Sequence, residues 1–271
     1  MATQSESSLS ETRIAGFGWL SVTLLFGGVL LVYYIVPVGS LFLSVPPTEV
    51  LGRMNSPIIV DAAKTSVLSA SISTLIATIF GLPLAYWLAR ADGAAQTAVL
   101  GIVVLPLVLP PVVGGIVLLT VFGSGSPLGE AAIAAGFPLT RSLAGVILAQ
   151  TFVASPFLVV TAKVAFERVD QTLEYASRSL GKSRWHTARR VTIPLAVPGI
   201  VAGVTLTFAR AIGEFGATMM LAYYPRTMPV QIWVSFIELG LENAYPVAIL
   251  LVGIAGVTLL VINIIASNPW E

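Results

Sequence analysis

The sequence has no cysteine. Disulfides and thiolate metal sites are therefore excluded. It has one histidine, His186, so a metal cluster or a Ser/His nucleophile system would have to be built around a single ring. That ring lies in the most basic stretch of the chain, a poor place for a cation. No metal, cofactor or catalytic residue is expected. Charge is scarce as well: Asp, Glu, Lys and Arg make up 10% of the 271 residues, against about 25% in a soluble globular domain. The formal net charge of +1 gives nucleic-acid binding no electrostatic support. A G-x-x-x-x-G-K-[ST] phosphate loop is also missing, so the chain is not itself an ATPase.

Apolar residues fill the space that charge leaves. They make up 56% of the chain, and the mean hydropathy is +0.92. This composition belongs to an all-α, polytopic membrane helix bundle. Residues 1–15, rich in Ser, Thr and Glu, read as a disordered cytoplasmic tail; residues 16–271 read as the transmembrane domain. Six apolar runs are long enough to span a bilayer: about 17–43, 66–89, 97–122, 143–166, 195–222 and 245–266. The first is read as an uncleaved helix, because no A-x-A-like cleavage site follows it. Breaker clusters at 45–50, 90–93, 123–129 and 223–229 separate most of the runs. Trp270 suits a membrane interface, and no soluble domain is expected at either end.

The basic residues orient the spans. With the N-terminus in the cytoplasm, Arg13, Arg90, Lys163, Arg168, Arg178, Lys182, Arg184, Arg189 and Arg190 lie inside. Arg53, Lys64, Arg141 and Arg226 lie outside. This bias satisfies the positive-inside rule and places both termini in the cytoplasm.

The longest cytoplasmic loop, at about 167–194, reads as two short helices meeting at a glycine. Asp170 suits an N-cap. Leu173, Ala176 and Leu180 recur at helical spacing. Gly181 fits a left-handed helix end. Ser183 can cap a second helix through Trp185, Ala188 and Val191, and Pro194 is expected to stop it. Such a hairpin suits a groove on another protein; equally, it could lie on anionic lipid.

Two spans carry unusual residues. Span three holds Pro106, Pro110, Pro111, Gly114 and Gly115, which favour a kink tolerated only against protein or a water-lined path. Span five holds Arg210 and Glu214, four residues apart and so expected on one helix face. A neutral packing pair and an anion contact are both open readings. Gly213 and Gly216 allow close helix approach, as at a dimer interface.

Glu174-Tyr175-Ala176, followed by Gly181 and then Ile193-Pro194-Leu195, resembles the EAA loop of ABC importer permeases. Tyr replaces the second residue of the pattern, the glycine falls one residue late, and Leu follows the proline. GLPLAYWLARADG at 81–93, LPLVLPPVVGGIVLL at 105–119, SPF at 155–157 and FARAIGEFGATMMLA at 208–222 resemble the molybdate/tungstate branch, with sulfate permeases close by. The likeness runs from about residue 65 to 222 and thins in YYPRTMPVQIW.

The resemblance implies a type I importer fold and a plasma-membrane location in a bacterium or archaeon. It implies a homodimer, two ATP-binding cassette subunits and an extracytoplasmic oxyanion-binding protein. Glu174, Ala176, Ser179, Gly181, Lys182 and Pro194 would form the coupling joint, where a side chain at Gly181 would block the turn. Pro106, Pro110, Pro111, Gly114, Arg210, Gly213, Glu214 and Gly216 would line the pathway or gate. The cargo implied is molybdate or tungstate. The alternatives are a sulfate/thiosulfate permease and a secondary transporter, the latter disfavoured because no inverted repeat is evident.

Overall fold

A computed structural model describes residues 3–267, with side chains from 22 to 260 and at 264. Trp270 lies outside the described residues. The chain divides into two compact units, 1–49 and 50–271.

The first unit holds α1 (Thr3–Leu43). Its helix starts at Thr3 and not near residue 16, so the expected tail is helical over 3–15. No Gly or Pro stands between 3 and 15 to stop a helix propagating outward from the apolar run. The short α2 (Pro47–Met54) follows across the boundary between the units.

In the second unit, α3 (Pro57–Arg90), α7 (Leu143–Glu167) and α10 (Ile193–Ile212) pack side by side. The buried face of α3 is a ladder of small residues: Ala62, Ser66, Ala70, Ser73, Ala77, Gly81 and Ala85. Lipid tails are as apolar as leucine, so membrane helices associate through close backbone approach and van der Waals contact, which small residues permit. At Gly81 an added Cβ would stand 3.1 Å from Val159 Cγ2. Below it Ala85, Leu88, Ala162, Phe166, Ala196 and Ile200 form one buried cluster.

The third apolar run is two helices, α4 (Ala94–Val108) and α5 (Pro111–Phe122), bent by 117°. Leu109 and Pro110 are extended between them. Pro110 and Pro111 each lack an amide, and a residue before proline avoids the helical region. Among the described residues, five single helices are long and apolar enough to cross a membrane, and this bent pair makes a sixth if it is one span.

The fifth run also differs from expectation. Helix α10 ends at Ile212, and α11 (Gly216–Leu221) starts after a break. Two further helices, α12 (Met228–Leu239) and α13 (Leu241–Ser267), pack on each other. On the exposed connection between spans, Ser126 caps α6 (Pro127–Ala134) by accepting from the Gly129 amide.

Candidate functional site

The loop between α7 and α10 folds as a hairpin. Helix α8 (Gln171–Ser179) is capped by Asp170, whose carboxylate accepts the Thr172 amide at 2.9 Å. That bond holds the Asp170 carboxyl below its usual range. Gly181 follows at φ 78°. Its amide donates to Arg178 O and the Lys182 amide to Ser177 O, the paired closure of a Schellman end. Ser183 then caps α9 (Arg184–Thr187), accepting from the His186 amide. Ser177 and Thr187 hydroxyls meet at 2.9 Å and tie the two helices together.

Gly181 is needed for a different reason from the one expected. An added Cβ would meet nothing within 4 Å. The requirement is the left-handed backbone itself, and bulk there would project outward.

Pro194 does not stop the second helix. The backbone continues through a π-turn, Ala188–Thr192, into α10, so that 184–212 is one apolar span. In the π-turn the Ile193 amide donates to Ala188 O, five residues back. The widened turn admits Pro194 near the start of α10, where its missing amide costs no α-helical bond.

Glu174 turns inward and is buried at 9% exposure, not displayed at a joint with another protein. Arg90, at the end of α3, donates to both its oxygens, at 2.6 and 3.3 Å. Thr192 Oγ1 donates to Oε1 at 2.8 Å. Arg90 also donates to Phe166 O at 3.0 Å and lies 5.8 Å from the Tyr86 ring centroid. Burial would raise the Glu174 pKa. The hydrogen bonds from Arg90 and Thr192, with the Arg90 charge, outweigh it and hold the carboxyl below the usual glutamate range. One carboxylate thus ties α8 to the ends of α3 and of the π-turn. Arg90 counted only as a basic residue in the sequence, and Thr192 was not singled out. No local signal pairs residues 84 positions apart.

With Glu174 inside, the hairpin presents other groups. Leu180 is 79% exposed and Trp185 70%. Ala176, Ser179, Gly181 and Lys182 are exposed beside them, as are Arg178 and Arg184. Pro194 is exposed but lies apart, at the start of α10.

The second cluster joins the two helix breaks. At Gly216 an added Cβ would stand 2.9 Å from Pro111 Cβ and 3.0 Å from Val112 N. At Gly115 it would stand 2.7 Å from Met220 Cβ and 2.9 Å from Ala217 O. Gly114 faces the Phe152 ring, with a Cβ distance of 3.2 Å. These glycines therefore serve contacts within one chain, and Gly216 is not free for a dimer contact. Gly213 is exposed, with only ordinary contact near it. Pro106 sits within α4 beside a small cavity reaching Phe152 and Ser155.

Arg210 and Glu214 do pair, Nη2 to Oε2 at 2.5 Å, but not along one helix. Arg210 is in the last turn of α10, and Glu214 lies past its end. Glu214, 1% exposed, also accepts the Ala217 amide at 2.8 Å through Oε1. It therefore holds the start of α11 as well as the arginine. Sequence spacing foresaw the pair but not the break.

An all-helical bundle of apolar spans, interrupted by two adjoining helix breaks and tied at one end to a capped hairpin, has the build of an ABC importer permease. The fold is shared with the bacterial transporter that imports the acidic polysaccharide alginate, at TM-score 0.73 and 17% identity, covering 96% of this chain and 99% of that one. Residues 77–268 match the family described as binding-protein-dependent transport system inner membrane component. The chain is 55% identical over 260 residues to a probable molybdenum ABC transporter permease of Haloferax volcanii, covering 96% of this chain and 95% of that one. It is 36% identical over 231 residues to a molybdate/tungstate transport system permease of Thermococcus kodakarensis, covering 84% and 88%. The chain belongs to this permease family, as a non-catalytic membrane subunit.

Proposed function

We propose that this chain forms the membrane pathway of an importer for molybdate or tungstate and works as a homodimer. The names of its relatives support the cargo. Two ATPase subunits dock on the hairpins in the cytoplasm, and an extracytoplasmic binding protein delivers the oxyanion. Both termini lie in the cytoplasm of a plasma-membrane protein, as the basic residues favour.

The observation that carries this reading is the Glu174 anchor. A hairpin that is to transmit motion must be stiff towards the bundle and exposed towards the motor. The Arg90–Glu174–Thr192 contacts supply the first property, and Leu180 and Lys182 supply the second. ATP binding would draw two hairpins together; α3 and α10, fixed to each hairpin, would move with it. The coupling between nucleotide and cargo must be reciprocal.

The pathway role falls on the adjoining breaks, through Pro106, Pro110, Pro111, Gly114, Arg210, Gly213, Glu214 and Gly216. Irregular backbone at membrane depth suits a cavity-lining place. Glu214 neutralises Arg210, so an anion passes the pair weakly and is not trapped there.

Reconstitution with the ATPase subunits and binding protein tests the reading. ATP-dependent molybdate uptake is expected, reduced by Leu180→Asp at the docking face. Uptake without ATP would point to a secondary transporter. Calorimetry of the binding protein with molybdate, tungstate and sulfate fixes the cargo, and a preference for sulfate would overturn it.

A further inference from the structure

Two cavities beside α3 and the hairpin share Tyr86 and Arg184 in their linings. The first, of about 540 Å³, is a trough lined by Ile79, Leu82, Pro83, Phe166 and Ile193, with Arg184 and Trp185 at its mouth. From Thr78 to Tyr86 it follows nine residues of α3, roughly 12 Å of helix. The second, of about 420 Å³, is more polar than the first and bears Arg90, Arg178 and Arg184. Its one carboxylate, Glu174, is taken by Arg90 and Thr192. Among the described residues Arg178 and Arg184 form no ion pair of their own, though the Arg178 charge also reaches Glu174.

We propose that these joined cavities form a site for one anionic phospholipid. An acyl chain fills the trough, and the phosphate lies against Arg178 and Arg184. The chemistry is two-part, as an amphiphile requires: apolar along a membrane-spanning helix and cationic at its end. The trough opens on a face of α3 where Ile79 and Phe80 are 56% and 72% exposed, the setting of hydrocarbon. Trp185, 70% exposed beside the cationic end, suits the headgroup level. A zwitterionic lipid offers the same phosphate but adds an ammonium that the two guanidiniums repel. The bound lipid would touch α3, α8 and α9 together, so it would brace the hairpin on the bundle. This inference rests on the proposed cytoplasmic placement of the hairpin, where it meets the inner leaflet.

The test uses the purified complex of this chain with its ATPase partners. Native mass spectrometry measures retention of phosphatidylglycerol against phosphatidylcholine. Preferential retention of phosphatidylglycerol is expected. Arg178→Gln and Arg184→Gln should each lower it by about fivefold, and the double variant by about 25-fold. Leu82→Trp, which fills the trough and keeps both charges, should lower retention of both lipids. Equal retention of the two lipids, or unchanged retention in the double variant, would overturn the site. So would a photo-crosslinker at Leu82 that captures another protein chain in place of lipid. Retention is read without transport, so failure of molybdate uptake leaves this result standing. His186→Cys, in a chain with no cysteine of its own, reports separately on placement through labelling by an impermeant maleimide.

Discussion

Removing Glu174's charge is the sharpest test of the hairpin as a stiff lever. In Glu174→Gln the Arg90 guanidinium keeps its burial and loses its counter-charge. The side chains of Arg90 and Glu174 are only 16% and 11% exposed, so water offers limited relief. Breaking such a pair from one side costs about 3–5 kcal/mol. Spread over α8, which is held mainly through this contact and the Ser177–Thr187 bond to α9, that loss should appear as local opening. Amide exchange across 171–179 should accelerate by roughly two to nearly four powers of ten, while amides in the buried parts of α3 and α7 change little. Transport should fall, with ATPase activity less tightly linked to the presence of binding protein. The Arg90→Gln/Glu174→Gln double variant should lose less than the sum of the single variants, because neither charge is then left stranded. Acid should act in the same direction. The folded-state pKa of Glu174 is depressed, so its stabilisation is present above the ordinary glutamate pKa, about 4.3. It is lost as pH falls through the lower, folded value. At neutral pH the lever is intact. Unchanged exchange over 171–179 in Glu174→Gln, with normal uptake, would refute the argument.

Other perturbations separate the roles of neighbouring residues. Gly181→Ala should weaken the hairpin by about 1–2 kcal/mol through its positive φ, read by exchange of the same amides, and leave uptake measurable. Gly181→Trp adds outward bulk and should abolish ATP-driven uptake with membrane insertion intact; normal stimulation of the ATPase would count against it. Gly115→Val and Gly216→Val should lower thermal stability by about 1–3 kcal/mol or more, whereas Gly213→Ala, whose nearest contact is 3.6 Å away, should be tolerated in the same melting assay. Arg210→Ala should impair assembly and uptake more than Arg226→Ala, since it strands a buried Glu214 at about 3–5 kcal/mol; equal, negligible effects would show the pair to be incidental.

Short-range physics made much of this molecule readable from its residues. Apolar run length located the spans, because bilayer thickness fixes how many helical residues a crossing needs. Asp170, Gly181 and Ser183 marked the hairpin's caps and turn, because each acts on backbone within a few residues of itself. The prolines of span three announced an interruption, though not its size.

What tertiary structure alone decided were the partners. Glu174 found Arg90, 84 positions away, only because α3 and the hairpin end on one side of the bundle. Gly115 and Gly216 acquired their purpose when α5 came to lie on α11. Span five broke after Ile212, where Glu214 could serve both Arg210 and the Ala217 amide. Local sequence states which groups cannot stay unpaired in a membrane. Which distant group answers them depends on how the helices pack, and that arrangement arises from the whole chain at once.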